Sequence, residues 1–97
     1  MEILEFRYEA GAPPPRRAHA GVVGSGDLEV LLEPAAAGAA AVTVRTGVDG
    51  YGAVWRNVLD RFFARHRPAV TVTINDFGAT PGMVTLRLEQ ALEESEA

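Results

Sequence analysis

The sequence VWRNVLDRFFARHRPAVTVTIND, residues 54–76, contains a change of hydrophobic period that decides the fold. Pairs of apolar residues recur every four positions in its first half: Val54/Trp55, Val58/Leu59 and Phe62/Phe63. This spacing is typical of an amphipathic helix of about four turns, with the six apolar residues buried. The helix should end at Arg67-Pro68, because the residue before a proline disfavours the helical conformation.

The second half of this stretch, and the segments that precede the helix, have the period of strands. Val70, Val72 and Ile74 alternate with polar residues, which indicates a half-buried strand. Earlier strands are predicted at residues 4–8, 18–23, 28–33 and 42–45. Gly-Ser-Gly-Asp separates the second of these from the third, and glycine-rich pairs between two strands are typical of a tight hairpin.

A second helix is predicted over residues 81–94, in preference to a strand, for which Val84, Leu86 and Leu88 also alternate. Thr80-Pro81 supplies a good N-cap and first helical residue, and Leu, Glu, Gln and Ala dominate the rest of the segment. The order of elements is then ββββαβα. We expect an α+β fold, with a mainly antiparallel sheet of about five strands and two helices packed on one face, in a single domain over residues 1–97.

The composition excludes several kinds of site. The chain has no cysteine and no lysine, since all nine basic residues are arginines. It therefore has no disulfide, no thiolate metal site, no cysteine nucleophile, and no lysine for biotin, lipoate or a Schiff base. Only two histidines are present, His19 and His66, far apart in sequence. We expect no metal site and no catalytic residue.

Charge and hydropathy limit the partners. The net charge of −4 disfavours nucleic acid, because neutralising phosphates needs a basic surface. No apolar run reaches the roughly 18 residues of a membrane span. The N-terminal sequence MEILEFRYEA is acidic and alternating, unlike a secretory signal. These features predict a cytoplasmic protein with no membrane association.

Ser25, between Gly24 and Gly26, has two readings. It is either a turn serine, chosen for its small size, or a point of covalent modification. Flanking glycines suit a turn, and they also suit modification, because they remove side chains that would block an attaching enzyme. Asp27 would then either hydrogen-bond within the turn or orient the serine hydroxyl, and as an exposed turn carboxylate it would contribute little to stability.

Two further groups are candidates for partner contacts. Four arginines on or just after the first helix, with His66 among them, form either a solvated face or a docking site for an acidic partner or for phosphates: Arg56, Arg61, Arg65 and Arg67. Residues 75–78, Asn-Asp-Phe-Gly, come directly after the clearest strand. There we expect Asp76 to cap backbone amides and Phe77 to fill the core, or the loop to contact a partner.

The residues around Ser25 resemble a known family. The run from Gly24 to Pro34, GSGDLEVLLEP, is similar to the modification segment of the acyl carrier protein (delta) subunit of malonate decarboxylase. Residues 76–82, residues 87–91 and the first helix resemble that family too. The resemblance implies that Ser25 carries 2'-(5''-phosphoribosyl)-3'-dephospho-CoA through a phosphodiester, with Gly24, Gly26 and Asp27 beside it. It fits a chain without a thiol of its own.

The resemblance also implies a role. The chain would be a non-catalytic carrier of acetyl and malonyl thioesters, working with an acyl-carrier transferase subunit, decarboxylase subunits and a prosthetic-group transferase in malonate catabolism. Three alternatives stay open. They are a citrate-lyase-type carrier, an α+β interaction module in which Ser25 is only a turn residue, and a small enzyme that pairs Ser25 with a histidine.

Overall fold

The computed structural model describes residues 1–21 and 27–97, which form five strands and two helices. In chain order these are β1 (Glu2–Glu9), β2 (Ala18–Ala20), β3 (Leu28–Pro34), β4 (Ala39–Thr46), α1 (Gly52–Arg65), β5 (Val70–Asp76) and α2 (Pro81–Glu96). The predicted order ββββαβα and the α+β class are confirmed. Neither of the described helices is long and apolar enough to cross a membrane.

The described strands form one mixed sheet in the order β1-β4-β5-β3-β2. The pairs β1/β4, β3/β5 and β2/β3 are antiparallel, as expected of a mainly antiparallel sheet. The central pair β4/β5 is parallel. A parallel pair needs a long crossover connection, and α1 provides it.

Both helices cover the same face of the sheet. Alternate strand residues are buried with the helix side chains in one cluster, whose strand members include Phe6, Val30, Val42, Val72 and Ile74. The alternate positions that point the other way are open to solvent or only partly covered, as at Glu29 and Thr73. Alternation of this kind is what a sheet with one packed face requires.

The helix and strand lengths differ from the predictions at several ends. Strand β2 ends at Ala20 rather than at residue 23, β4 begins at Ala39, and α2 continues to Glu96. Strands β2 and β3 do pair antiparallel, as the predicted hairpin requires. The turn itself, at residues 22–26, lies outside the described residues.

The buried face of α1 is narrower than predicted. Trp55, Leu59, Phe62 and Phe63 are buried as expected, and Val58 is partly buried. The prediction for Val54 is wrong, because its side chain remains 37% exposed. Val54 lies in the first turn of α1, where it lines a groove.

Three connections meet at one end of the sheet. Thr46 at the end of β4 is in register with Asp76 at the end of β5, and Asp76 is in register with Leu28 at the start of β3. The segment from β2 to β3 therefore leaves and enters the sheet at the end where both helices begin.

Candidate functional site

The predicted attachment residue Ser25 and its neighbours Gly24 and Gly26 lie outside the described residues. We call residues 22–26 the attachment segment. The structure describes the two residues that flank it, Gly21 and Asp27. The geometry of these two residues fixes where the segment starts and ends.

Gly21 is the residue directly before the attachment segment. Its φ is +91°, in the left-handed region that favours glycine. A Cβ atom at this position would lie 2.0 Å from the backbone oxygen of Leu28. Gly21 therefore permits both the conformation and the close approach of the two strands. The sequence analysis did not single it out, although a glycine directly after a strand is a signal for such a position.

Asp27 is the residue directly after the attachment segment, and it accepts three hydrogen bonds. Its Oδ1 accepts a hydrogen bond from the Leu28 N–H at 2.7 Å, and its Oδ2 accepts one from Arg87 Nη2 at 2.8 Å. Its backbone carbonyl accepts a hydrogen bond from the Phe77 N–H at 3.1 Å. The prediction that Asp27 is an exposed turn carboxylate is wrong, since its side chain keeps only 18% exposure.

The electrostatics of Asp27 result from these contacts. The hydrogen bond from the Arg87 guanidinium, and after it the one from the Leu28 N–H, hold the pKa of the Asp27 carboxyl below its usual range. The carboxylate is therefore ionised at neutral pH. It joins the start of β3 to the middle of α2 by an ion pair between residues 60 positions apart.

Arg87 is the residue at this site whose role the sequence analysis missed. Its Nη1 donates to Gln90 Oε1 at 2.9 Å, and its Nη2 donates to Asp27. Its Nε is buried and has no hydrogen-bond partner among the residues the structure describes. The spacing of Arg87 and Gln90 on one helix face was visible in the sequence, whereas the pairing with Asp27 depends on how α2 crosses the sheet.

The loop after β5 is built around a buried carboxylate. Asp76 Oδ1 accepts hydrogen bonds from the N–H groups of Gly78, at 3.3 Å, and Ala79, at 2.9 Å. Its Oδ2 accepts one from the Thr46 hydroxyl at 2.8 Å. The predicted capping role of Asp76 is confirmed. The prediction that Phe77 fills the core is wrong, because its side chain is 46% exposed.

A groove of about 350 Å³ lies between the N-terminal ends of α1 and α2. Thr46 and Asp76, at the ends of β4 and β5, contribute to its lining. Most of the remaining wall is apolar: Val48, Tyr51, Val54, Trp55, Val58 and Val84.

The arginine candidates do not gather at this site. The Arg56 guanidinium lies over the Phe6 ring, 5.1 Å from its centroid. Arg61, Arg65 and Arg67 are exposed along or just after α1. Exposure is compatible with a solvated face and with a docking face alike, so both interpretations of these arginines stay open.

The two histidines lie in different places, each beside a glutamate. His19 Nε2 is 3.0 Å from Glu29 Oε2, and His66 Nε2 is 3.4 Å from Glu89 Oε2. Within residues 1–21 and 27–97, no group of three or more histidine, aspartate or glutamate side chains is arranged to hold a metal ion.

The chain is similar to known proteins along nearly its whole length. Residues 15–95 match the acyl carrier protein family described as malonate decarboxylase delta subunit (MdcD). The malonate decarboxylase acyl carrier protein of Pseudomonas aeruginosa strain UCBPP-PA14 is 59% identical over 96 residues, which cover 98% of this chain and 97% of that protein. The protein of the same name from Azotobacter vinelandii is 57% identical over 95 residues, covering 97% and 96%.

A solved structure has the same fold. A chain in the crystal structure of a Pseudomonas malonate decarboxylase hetero-tetramer in complex with malonate superimposes with a TM-score of 0.93. That chain is 50% identical, and the superposition covers 98% of this chain and 99% of that one.

Proposed function

This chain belongs to the malonate decarboxylase delta subunit family, the acyl carrier proteins of that enzyme, and from this premise we propose that Ser25 is the site at which it carries its acyl groups. The group attached there is 2'-(5''-phosphoribosyl)-3'-dephospho-CoA, linked to the serine oxygen through a phosphodiester. When bound, it supplies a thiol that carries acetyl and malonyl groups as thioesters. The observation that carries the proposal is the family match over residues 15–95, which includes Ser25 and both of its anchors.

The composition supports Ser25 as the attachment residue. The chain has two serines. The other one, Ser95, is fully buried, and its hydroxyl donates a hydrogen bond to the Leu92 carbonyl at 2.6 Å. An attaching enzyme cannot reach that hydroxyl unless the last turn of α2 opens. The absence of cysteine means that any thioester chemistry on this chain needs a thiol from an attached group.

The residues beside Ser25 fit a phosphodiester. Asp27 is two residues from Ser25, and two residues of chain span at most about 7 Å. Arg87, which binds Asp27, is therefore a cation close to the point of attachment. Its Nε is buried and has no partner among the described residues, so the guanidinium keeps one donor that these residues leave unused.

The chain's own residues have a positioning role in this function. Gly21 brings the strand ends together, and Asp27 fixes the other end of the segment to α2 and to the Phe77 backbone. These contacts hold both ends of the segment in place on the body of the protein. The carrier performs no bond making with its own side chains. It raises the local concentration of substrate at several active sites, as a tether does.

We expect three kinds of partner. They are an acyl-carrier transferase subunit, the decarboxylase subunits, and the enzyme that attaches the prosthetic group. Support comes from the structural neighbour, which is a hetero-tetramer. No observation favours a citrate-lyase-type carrier, a plain interaction module or a serine–histidine enzyme over this function.

The experiment is attachment of a radiolabelled prosthetic group by the attaching enzyme to purified variants. Ser25→Ala should remain folded and take up no label, because the hydroxyl that accepts the phosphodiester is gone. Ser95→Ala is the matched control and should be labelled at the stoichiometry of the wild type. Label on the Ser25→Ala protein would show that the attachment residue is a different one.

A further inference from the structure

The groove between α1 and α2 is lined in part by apolar side chains that remain partly exposed. Val48, Tyr51 and Val54 are 36%, 50% and 37% exposed. The groove, of about 350 Å³, lies in the size range of small-molecule sites, which are mostly apolar with a few polar groups. Its polar lining includes the Thr46 hydroxyl and the Asp76 carboxylate, which are already bonded to each other.

The groove begins next to the anchored end of the attachment segment. Asp76 lines the groove and is in register with Leu28, the residue directly after Asp27. Neighbouring strands are about 4.8 Å apart. Phe77, the next residue after Asp76, donates its N–H to the Asp27 carbonyl. One strand spacing therefore separates the end of the attachment segment from the wall of the groove.

We propose that this groove holds the thiol end of the prosthetic group between its visits to the active sites of the partner subunits. This inference rests on the attachment proposed above. The occupant is thus a part of the holo protein itself, covalently attached beside the groove.

The lining of the groove disfavours the anionic parts of the prosthetic group. Arg87, beside the attachment segment, is already ion-paired with Asp27. No arginine or histidine is among the described residues that line the groove, and the one charged side chain among them is a carboxylate. The groove therefore disfavours phosphates and suits the uncharged thiol end.

Shelter in the groove has a chemical consequence. A thiol or thioester packed against Val54, Trp55 and Val58 is shielded from water and from stray nucleophiles. The rate at which it reacts with a reagent in solution then falls in proportion to the fraction of time that it spends outside the groove. If that fraction is about 10%, the thiol reacts about tenfold more slowly than a free one.

The chain offers two native reporters for this arrangement. Trp55 is its only tryptophan and lines the groove. Since there is no cysteine, the thiol of the prosthetic group is the only thiol of the holo protein. Tryptophan emission and thiol alkylation therefore each report on one partner of the proposed contact, without any label.

The experiment compares holo protein, apo protein, and the Ser25 peptide carrying the same group after proteolysis. Mass spectrometry first verifies the loading. Iodoacetamide should alkylate the intact holo protein about tenfold more slowly than the peptide. Trp55 emission should differ between the apo and holo proteins. Val54→Asp should restore fast alkylation, whereas Leu86→Asp, at a half-exposed helix residue outside the groove, should not.

The outcomes separate this inference from the attachment proposal. A protein loaded at Ser25 that reacts as fast as the peptide, with unchanged Trp55 emission, overturns the groove inference and leaves attachment standing. Trp55 emission that changes only when decarboxylase subunits are added shows that a partner fills the groove, and also overturns it. If no group is found on Ser25, both proposals fail.

Discussion

Gly21 shows how a single residue sets the position of the attachment segment. Gly21→Ala should lower the free energy of unfolding by more than the roughly 1–3 kcal/mol of a strained backbone conformation, because the added Cβ also meets the Leu28 backbone at 2.0 Å. The matched control is Gly38→Ala, where φ is +102° and nothing lies within 4 Å. Urea unfolding of both variants measures the difference. Equal losses would show that the close approach to Leu28 is unimportant.

Asp27 makes stability depend on pH in a defined direction. The hydrogen bond from Arg87 lowers the pKa of Asp27 in the folded protein, whereas in the unfolded chain this carboxyl keeps its ordinary pKa of about 3.9. As the pH falls below that value, the unfolded state therefore binds more protons than the folded state. The stability that the pair contributes is therefore fully present above that pKa and is lost as the pH falls through the folded value.

The measurement is the melting temperature of wild type and Asp27→Asn from pH 7 to pH 2. We expect the wild type to melt higher at neutral pH, and the two curves to converge below about pH 4. The same comparison in an Arg87→Ala background should show a much smaller pH dependence. A difference between wild type and Asp27→Asn that stays constant down to pH 2 would contradict the ion pair.

The roles of some single residues could be predicted from the sequence, and the roles of others could not. The capping role of Asp76 was predictable because its partners, Gly78 and Ala79, are two and three residues away. The partner of Asp27 was not, since it is brought close only by the crossing of α2 over the sheet. Ser25 was identified by resemblance to a family, since small size alone also explains a serine between glycines.

Within α1, Phe62 is the side chain on which the packing of the helix depends most clearly. It is 3% exposed and makes an edge-to-face contact with Phe63, with ring centroids 5.1 Å apart. Phe62→Ala should reduce the free energy of unfolding by about 3–5 kcal/mol. Val54→Ala, in the same helix but half exposed, should reduce it by about 1 kcal/mol. Similar losses for both variants in urea titrations would mean that the buried face of α1 is assigned wrongly.

The elements themselves were largely predictable because hydrophobic period reports local geometry. The four-residue spacing predicted α1 and the alternation predicted β5, and Thr80-Pro81 marked the start of α2, where Thr80 Oγ1 accepts from the Met83 N–H at 3.3 Å. Period does not report which neighbour covers a residue. Val54 and Phe77 fit the apolar pattern, yet they remain 37% and 46% exposed.

Across the whole molecule, the order and direction of the strands in the sheet could not be predicted from the sequence. Local patterns predicted which segments are strands, but the order β1-β4-β5-β3-β2 and the parallel β4/β5 pair depend on contacts between distant segments. That order places the ends of β4 and β5 beside the start of β3. The candidate site and the groove both result from this arrangement, which no local motif encodes.

The central claim is that this chain is a carrier whose acyl groups are held on a group attached at Ser25. The measurement that tests it most directly is the intact mass, combined with peptide fragmentation, of protein purified from cells that make the complete decarboxylase. We predict a mass increased by one phosphoribosyl-dephospho-CoA, with or without an acyl group, and fragments that place the increment on Ser25. An unmodified mass, or an increment on any other residue, would contradict the account.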